Sequence, residues 1–100
     1  MKAARYYSND DVRVEKVPVP EIGPEEILVE VKVCGVCGSD VMEWYMKPRA
    51  PLFFGHEPAG VVCQVGKGVE NLSVGDRVFV HHHVPCFVCH YCRRENYTMC

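Results

Sequence analysis

The sequence predicts a mainly β fold, a small barrel or folded antiparallel sheet of short strands with one short helix and a cysteine-rich loop lobe. Apolar and polar residues alternate in several short runs separated by Gly and Pro. The last segment, from Pro85 onward, is punctuated by cysteine and has almost no apolar residues with which to form a core. No strand–helix–strand unit with G-x-G-x-x-G is present, so no dinucleotide-binding fold can be placed on these residues.

Taken in order, Arg13 to Val17 alternates, with Val14 and Val17 apolar and Arg13, Glu15 and Lys16 charged. Pro18, Pro20 and Gly23-Pro24 then punctuate the chain. Glu26 to Val33 is the clearest strand: Ile27, Val29, Val31 and Val33 fall on one face, Leu28, Glu30 and Lys32 on the other. Such alternation suits an antiparallel sheet with one face covered. Cys34-Gly35-Val36-Cys37-Gly38 breaks the strand. Ser39 or Asp40 caps a predicted short helix through about Met46, which Pro48 and Pro51 end. Gly60 to Val65 predicts a strand, closed by a plain turn at Gly66-Lys67-Gly68. Arg77 to about His83 predicts the last strand.

The chain has 100 residues, 48% hydrophobic and 24% charged, with a formal net charge of −2. That balance excludes intrinsic disorder and argues against a nucleic-acid module, whose footprint is basic. No apolar run reaches the ~18 residues of a membrane span. The start, Met1-Lys2-Ala3-Ala4-Arg5-Tyr6, lacks the apolar core of a signal peptide, and a cytoplasmic location is expected. Seven cysteines in such a chain is the outlying number. In a reducing compartment, clustered thiols point to metal.

Cys86, Cys89, Cys92 and Cys100 stand as C-x2-C-x2-C-x7-C. Four thiolates close a tetrahedral zinc site with Zn–S bonds of about 2.3 Å and leave no open position, so the role is structural. Backbone N–H groups in such turns stabilise the sulfur charge. Four thiolates on one divalent ion leave a net −2, which Arg93 and Arg94 are placed to offset. Free or disulfide-paired cysteines are the plain alternative. An iron–sulfur cluster is another, although the ferredoxin run closes with x3 and a Pro, whereas here the last gap is x7. His90, between two of the cysteines, is expected at the surface.

Cys37 and His56 form a second pair of soft ligands, each among glycines. Spacing alone leaves them as buried neutral groups or metal ligands. The longer string decides between these: Gly55-His56-Glu57 through Gly60, Gly66 and Val69 reads G-H-E-x2-G-x5-G-x2-V. With Gly35-Val36-Cys37-Gly38-Ser39-Asp40, Val74-Gly75-Asp76-Arg77-Val78 and the four-cysteine lobe, the chain resembles the zinc-dependent medium-chain alcohol and polyol dehydrogenases from about residue 2 onward.

The resemblance implies a GroES-like catalytic domain over residues 1–100, truncated, with the structural zinc lobe at 85–100 inside it. It implies a catalytic zinc on Cys37 and His56, with Glu57 behind the ion or ligating it. A Cys2His ligand set is already known of alcohol dehydrogenase. Asp40 resembles the carboxylate that orients the ligand histidine, and Ser39 the hydroxyl that relays the substrate's proton. NAD or NADP is the implied hydride acceptor. The Cys-Gly-Ser-Asp string leans toward polyol or threonine-like secondary alcohols, oxidised to ketones. A small-molecule substrate, no nucleic acid or membrane partner, and a homo-oligomeric complete enzyme are expected.

The third zinc ligand and the Rossmann domain of that family lie beyond the matched motifs, and neither is found here. The 100 residues alone are expected neither to bind NAD(H) nor to turn over alcohol. Met42 stands where many members carry a histidine that continues the proton relay, and a thioether cannot relay a proton. Cys34 is expected to pack, or to form a redox pair with Cys37. Trp44 and Tyr45 either pack the short helix or line the pocket. His81-His82-His83 reads as a solvated strand end, as a pocket wall with His82 facing away from its neighbours, or as an adventitious metal site. The rival readings of the whole chain are a zinc-stabilised binding or structural module and a zinc-free quinone reductase of the same superfamily, which typically lacks the four-cysteine lobe.

Overall fold

The computed structural model describes residues 1–100. Six strands form two antiparallel sheets. In the first, β1 (Lys2–Ser8) lies between β2 (Asp11–Lys16) and β4 (Leu52–Phe53); in the second, β5 (Glu57–Val65) lies between β3 (Ile27–Gly35) and β6 (Arg77–Phe79). The expected mainly β architecture of short antiparallel strands is present. The one helix, α1, is a single turn at Glu43–Met46, and residues after Phe79 form loops and short turns only.

Several boundaries differ from expectation for local reasons. β1 was not foreseen, because Lys2 to Ser8 does not alternate; it forms because β2 and β4 pair with it on both sides. The predicted helix is split into a 3-10 turn at Gly38–Val41, α1, and a second 3-10 turn at Lys47–Arg49. Met42 between the first two has an extended ψ of 94°, which breaks the helical run. β3 runs on to Gly35, since Cys34 and Gly35 still pair with Pro58 and Glu57. Its register slips at Leu28/Val29 and again between Val31 and Val33. Residues 30–34 are exposed on both faces, Val31 and Val33 included, so this part of β3 has no covered face. β6 stops at Phe79 instead of near His83. Val80 N–H still donates to the Pro58 carbonyl at 2.9 Å, but Pro58 has no N–H to return, and the ladder ends there.

Gly60 faces β3 so closely that a Cβ there would run into the Glu30 carbonyl and the Val29 side chain. Glycine is required at that crossing. Few side chains are fully enclosed: Tyr6 and Val62 are 1% exposed, and Met46, Asp40 and Cys92 are also buried. Tyr6 stacks on Phe54 with ring centres 6.0 Å apart, and its hydroxyl donates to Asn9. Asn9 in turn donates to the Val41 carbonyl. This chain of contacts fixes the first sheet to the turn that carries the candidate site.

The surface area is 7814 Å², against about 5,700 Å² for a folded monomer of this mass. The radius of gyration, 15.7 Å, likewise exceeds the ~13 Å usual for this length. Met1, Val19, Leu28, Val31, Phe53 and Phe54 are among the residues lining an open apolar cavity of about 630 Å³ between the sheets.

Candidate metal centres and substrate pocket

Cys37 caps the 3-10 turn Gly38–Val41. Its backbone N–H donates to Asp40 Oδ2 at 2.9 Å, so the Asp40 carboxylate closes the turn on itself. The other oxygen of Asp40 meets His56 Nδ1 at 3.1 Å. Asp40 is 3% exposed. A buried carboxylate accepting from Nδ1–H fixes the imidazole tautomer and leaves Nε2 as the free donor atom.

His56 enters from the other side, after Gly55, whose φ of +86° turns the chain into β5. Glu57 follows as the first residue of β5, opposite Gly35. A Cβ at Gly35 would sit 2.5 Å from Glu57 Oε2, so that glycine makes room for the carboxylate. One donor atom each from Cys37, His56 and Glu57 lies within 4.8 Å of the others. Cys37 is therefore brought to His56 and Glu57 as a three-donor group, with Asp40 behind His56 and Ser39 beside it. The Cys37 thiol is lowered from its usual range, first by the backbone N–H of Ser39, then by the Ser39 hydroxyl and by His56. His56 is raised: burial alone would lower it, but the hydrogen bonds to Asp40 and Cys37 outweigh that. The thiolate–imidazolium tendency of the pair is the charge distribution a divalent cation would replace.

The second group is Cys86, Cys89, Cys92 and Cys100, whose sulfurs also lie within 4.8 Å of one another. Cys86 and Cys92 sulfurs are 4.0 Å apart, close to the ~3.8 Å edge of a tetrahedron with Zn–S of about 2.3 Å. Backbone N–H groups of Cys89, Cys92 and Cys86 point at the sulfurs of Cys86, Cys89 and Cys100, at 3.3–3.4 Å. Left-handed residues at Phe87 and Glu95, each with φ of 60°, make the turns that aim them. The Val88 and Cys89 N–H groups pull the Cys86 thiol down to about 6. Burial first, then the Cys89 thiol, push Cys92 up to about 12. Both donor sets fit zinc in number, atom type and spacing.

Arg94 is tied to the exposed His90, through Nδ1 at 2.9 Å and its carbonyl at 3.3 Å. No hydrogen bond runs from Arg93 or Arg94 to a sulfur; the backbone amides do that work instead.

A cavity of about 240 Å³ opens beside the first group, reaching Ser39, His56, His82, Tyr45 and Arg49. His82 lies against the His56 ring, centre to centre 5.0 Å. The expectation that His82 faces away from His81 is wrong: the two rings stack at 5.0 Å and 17°, because these residues follow a bend and not a strand. His83 is held by the Tyr97 carbonyl at the edge of the cysteine lobe. Trp44 does not pack the helix; it is 76% exposed. Cys34 is exposed at the rim of the apolar cavity and its sulfur belongs to neither donor group. Met42 carries no titratable group and does not line this cavity. Sequence reasoning passed over Arg49, which stands between Pro48 and Pro51, two residues after Lys47, in no recognisable motif.

The alcohol dehydrogenase GroES-like domain family matches residues 23–100. A sorbitol dehydrogenase of Bombyx mori is 41% identical over 98% of the chain and 30% of its own length. Among solved structures, alcohol dehydrogenase TADH from Thermus sp. ATN1 is 36% identical with a TM-score of 0.81, covering all of this chain and 30% of that one. CAD from Helicobacter pylori, complexed with NADP(H), is 29% identical with a TM-score of 0.81, covering 99% of this chain and 30% of that one. The chain thus spans about 30% of the length of the relatives it matches.

Proposed function

This chain belongs to the zinc-dependent medium-chain alcohol dehydrogenase family through its GroES-like domain, and from that premise we propose that it supplies the catalytic-metal half of an NAD(P)-linked dehydrogenase for secondary alcohols or polyols. The observation that carries this reading is the three-donor group of Cys37, His56 and Glu57, aimed by a buried Asp40. A purely structural module has no use for a histidine held in one tautomer beside a lone thiol and a serine hydroxyl.

Zinc on those donors supplies Lewis acidity that makes an alcohol more acidic, and a nicotinamide supplies the hydride acceptor. Cys37, His56 and Glu57 hold the ion, and a further ligand comes from outside these 100 residues. Asp40 fixes His56 and ties down the Cys37 turn at the same time. Ser39 Oγ would accept the proton that leaves the alcohol while its own hydroxyl proton passes to water, since the Met42 thioether cannot relay one. The four-cysteine lobe holds a second zinc whose role is to give residues 85–100 a shape. Nicotinamide binding belongs to sequence beyond the motifs found here, the complete protein works in the cytoplasm, and it assembles as a homo-oligomer.

His56→Ala tests the reading. The native protein should hold about two zinc ions per chain, and the variant about one, with the fold kept and NAD(P)-linked oxidation of sorbitol lost. Full activity in the variant would end the catalytic assignment. One chelator-resistant zinc in the native protein and no oxidation of any alcohol would favour the binding module instead.

A further inference from the structure

The cavity that Ser39 and His56 line is also lined by Arg49 and by the apolar side chains of Met46, Leu52 and Phe53.

Arg49 is solvent-exposed, is held by two contacts to Tyr45, and lacks a counter-charge. Its guanidinium sits 4.0 Å above the Tyr45 ring, and Nη1 donates to the Tyr45 carbonyl. That leaves most of its donors free. No carboxylate pairs with it. Its neighbour in sequence, Lys47, is matched to Glu43 at 3.0 Å. The one carboxylate lining the cavity, Asp40, is committed to His56 Nδ1 and the Cys37 N–H. Stacking has already cost the side chain much of its freedom, so less is lost when it binds. A planar fork with free donors fits two oxygens of a carboxylate or phosphate.

We propose that this pocket selects alcohols that carry an oxyanion group, held by Arg49 while the carbinol lies at Ser39 and His56. The inference rests on the dehydrogenase reading of Cys37, Ser39 and His56. Arg49 sets which substrate is preferred, and Met46, Leu52 and Phe53 offer apolar surface to the substrate's carbon segment. Carboxylate and phosphate share the chemistry that Arg49 recognises, and the choice of probes separates them.

The test uses the complete, zinc-loaded protein that carries these residues together with its nicotinamide-binding part, supplied with NAD or NADP. The probes are sorbitol, sorbitol 6-phosphate, 3-hydroxybutyrate and 2,3-butanediol. At least one anionic probe should exceed both neutral ones in kcat/KM, and which one does so names the source of the anion. Arg49→Gln should lower kcat/KM for that probe on the order of 10- to 100-fold, with the neutral alcohols changed less than about threefold. Arg49→Lys, which keeps the charge without the fork, should recover part of the loss. Inorganic phosphate or acetate should inhibit the native protein competitively and Arg49→Gln much less. Preference for the neutral probes, with Arg49→Gln silent on all four, overturns the proposal and leaves the dehydrogenase standing. Oxidation of none of the four overturns both.

Discussion

Asp40 and His56, sixteen residues apart, meet at 3.1 Å between Oδ1 and Nδ1, and the same carboxylate accepts the Cys37 N–H at 2.9 Å. One buried group thus positions both soft donors of the candidate catalytic centre. A loss at Asp40 should reach the metal through two ligands together.

Asp40→Asn should weaken retention of the chelator-labile zinc by about 10- to 100-fold, the usual effect of removing such an outer partner. The zinc of the cysteine lobe should be unaffected. Competition with a chromophoric chelator resolves the two populations. Equal weakening of both would mean that Asp40 acts on the fold and not on the site.

Cys86→Ser should remove the lobe zinc outright, because three thiolates and a hydroxyl make a poor closed site. Stability should fall by at least about 2 kcal/mol, a drop on the order of 10 °C in Tm for a domain of this size. Thermal unfolding followed by circular dichroism, with zinc counted by atomic absorption, checks both. Turnover per folded, zinc-loaded site should change far less than Tm.

Zinc retention in the lobe should weaken as pH falls. Free of metal at neutral pH, Cys86 is ionised, with its thiol at about 6, while Cys92, pushed up to about 12, keeps its proton. Binding must expel the Cys92 proton, so affinity drops about tenfold for each proton displaced per unit of pH. Below about 6 Cys86 also protonates and the slope steepens. Calorimetric titration with zinc in buffers of different ionisation enthalpy reads the number of protons released. Zero release near pH 7.5 would contradict the assignment of Cys92 as a thiol.

Gly60→Ala should destabilise the sheet by about 1–3 kcal/mol through overpacking. The added methyl meets the Glu30 carbonyl and Val29 of β3, and neither backbone can retreat without opening the β3–β5 ladder. Urea unfolding at constant m measures it. Gly38→Ala, where a Cβ meets nothing, is the matched control.

Much of the site was legible before any coordinates. The four cysteines are marked by their spacing, whereas Cys37, His56-Glu57 and the Ser39-Asp40 pair were legible through the resemblance to the dehydrogenase family, since spacing alone left Cys37 and His56 undecided. The strands were less legible. Lys2 to Ser8 pairs on both sides without an alternating pattern, and β3 slips register twice against β5 despite a regular sequence. Local pattern does not encode a register shift, which is set by the partner strand. His82 was legible only as one of several readings of the histidine run, because its place against His56 depends on where β6 stops, and that depends on Pro58 across the ladder. Arg49 was missed because an isolated arginine carries no pattern; only its lack of a partner marks it, and that is visible in three dimensions alone.

Residues 85–100 bury a single side chain, Cys92, and contain no strand or helix longer than one turn. With so little oily interior, their cohesion would come from an ion held by the four sulfurs. In a cell short of zinc this stretch should be the first to fray while the sheets persist, offering proteases a cut site within reach of the His83–Tyr97 contact. The half-life of the protein would then report how much metal the cell has to spare.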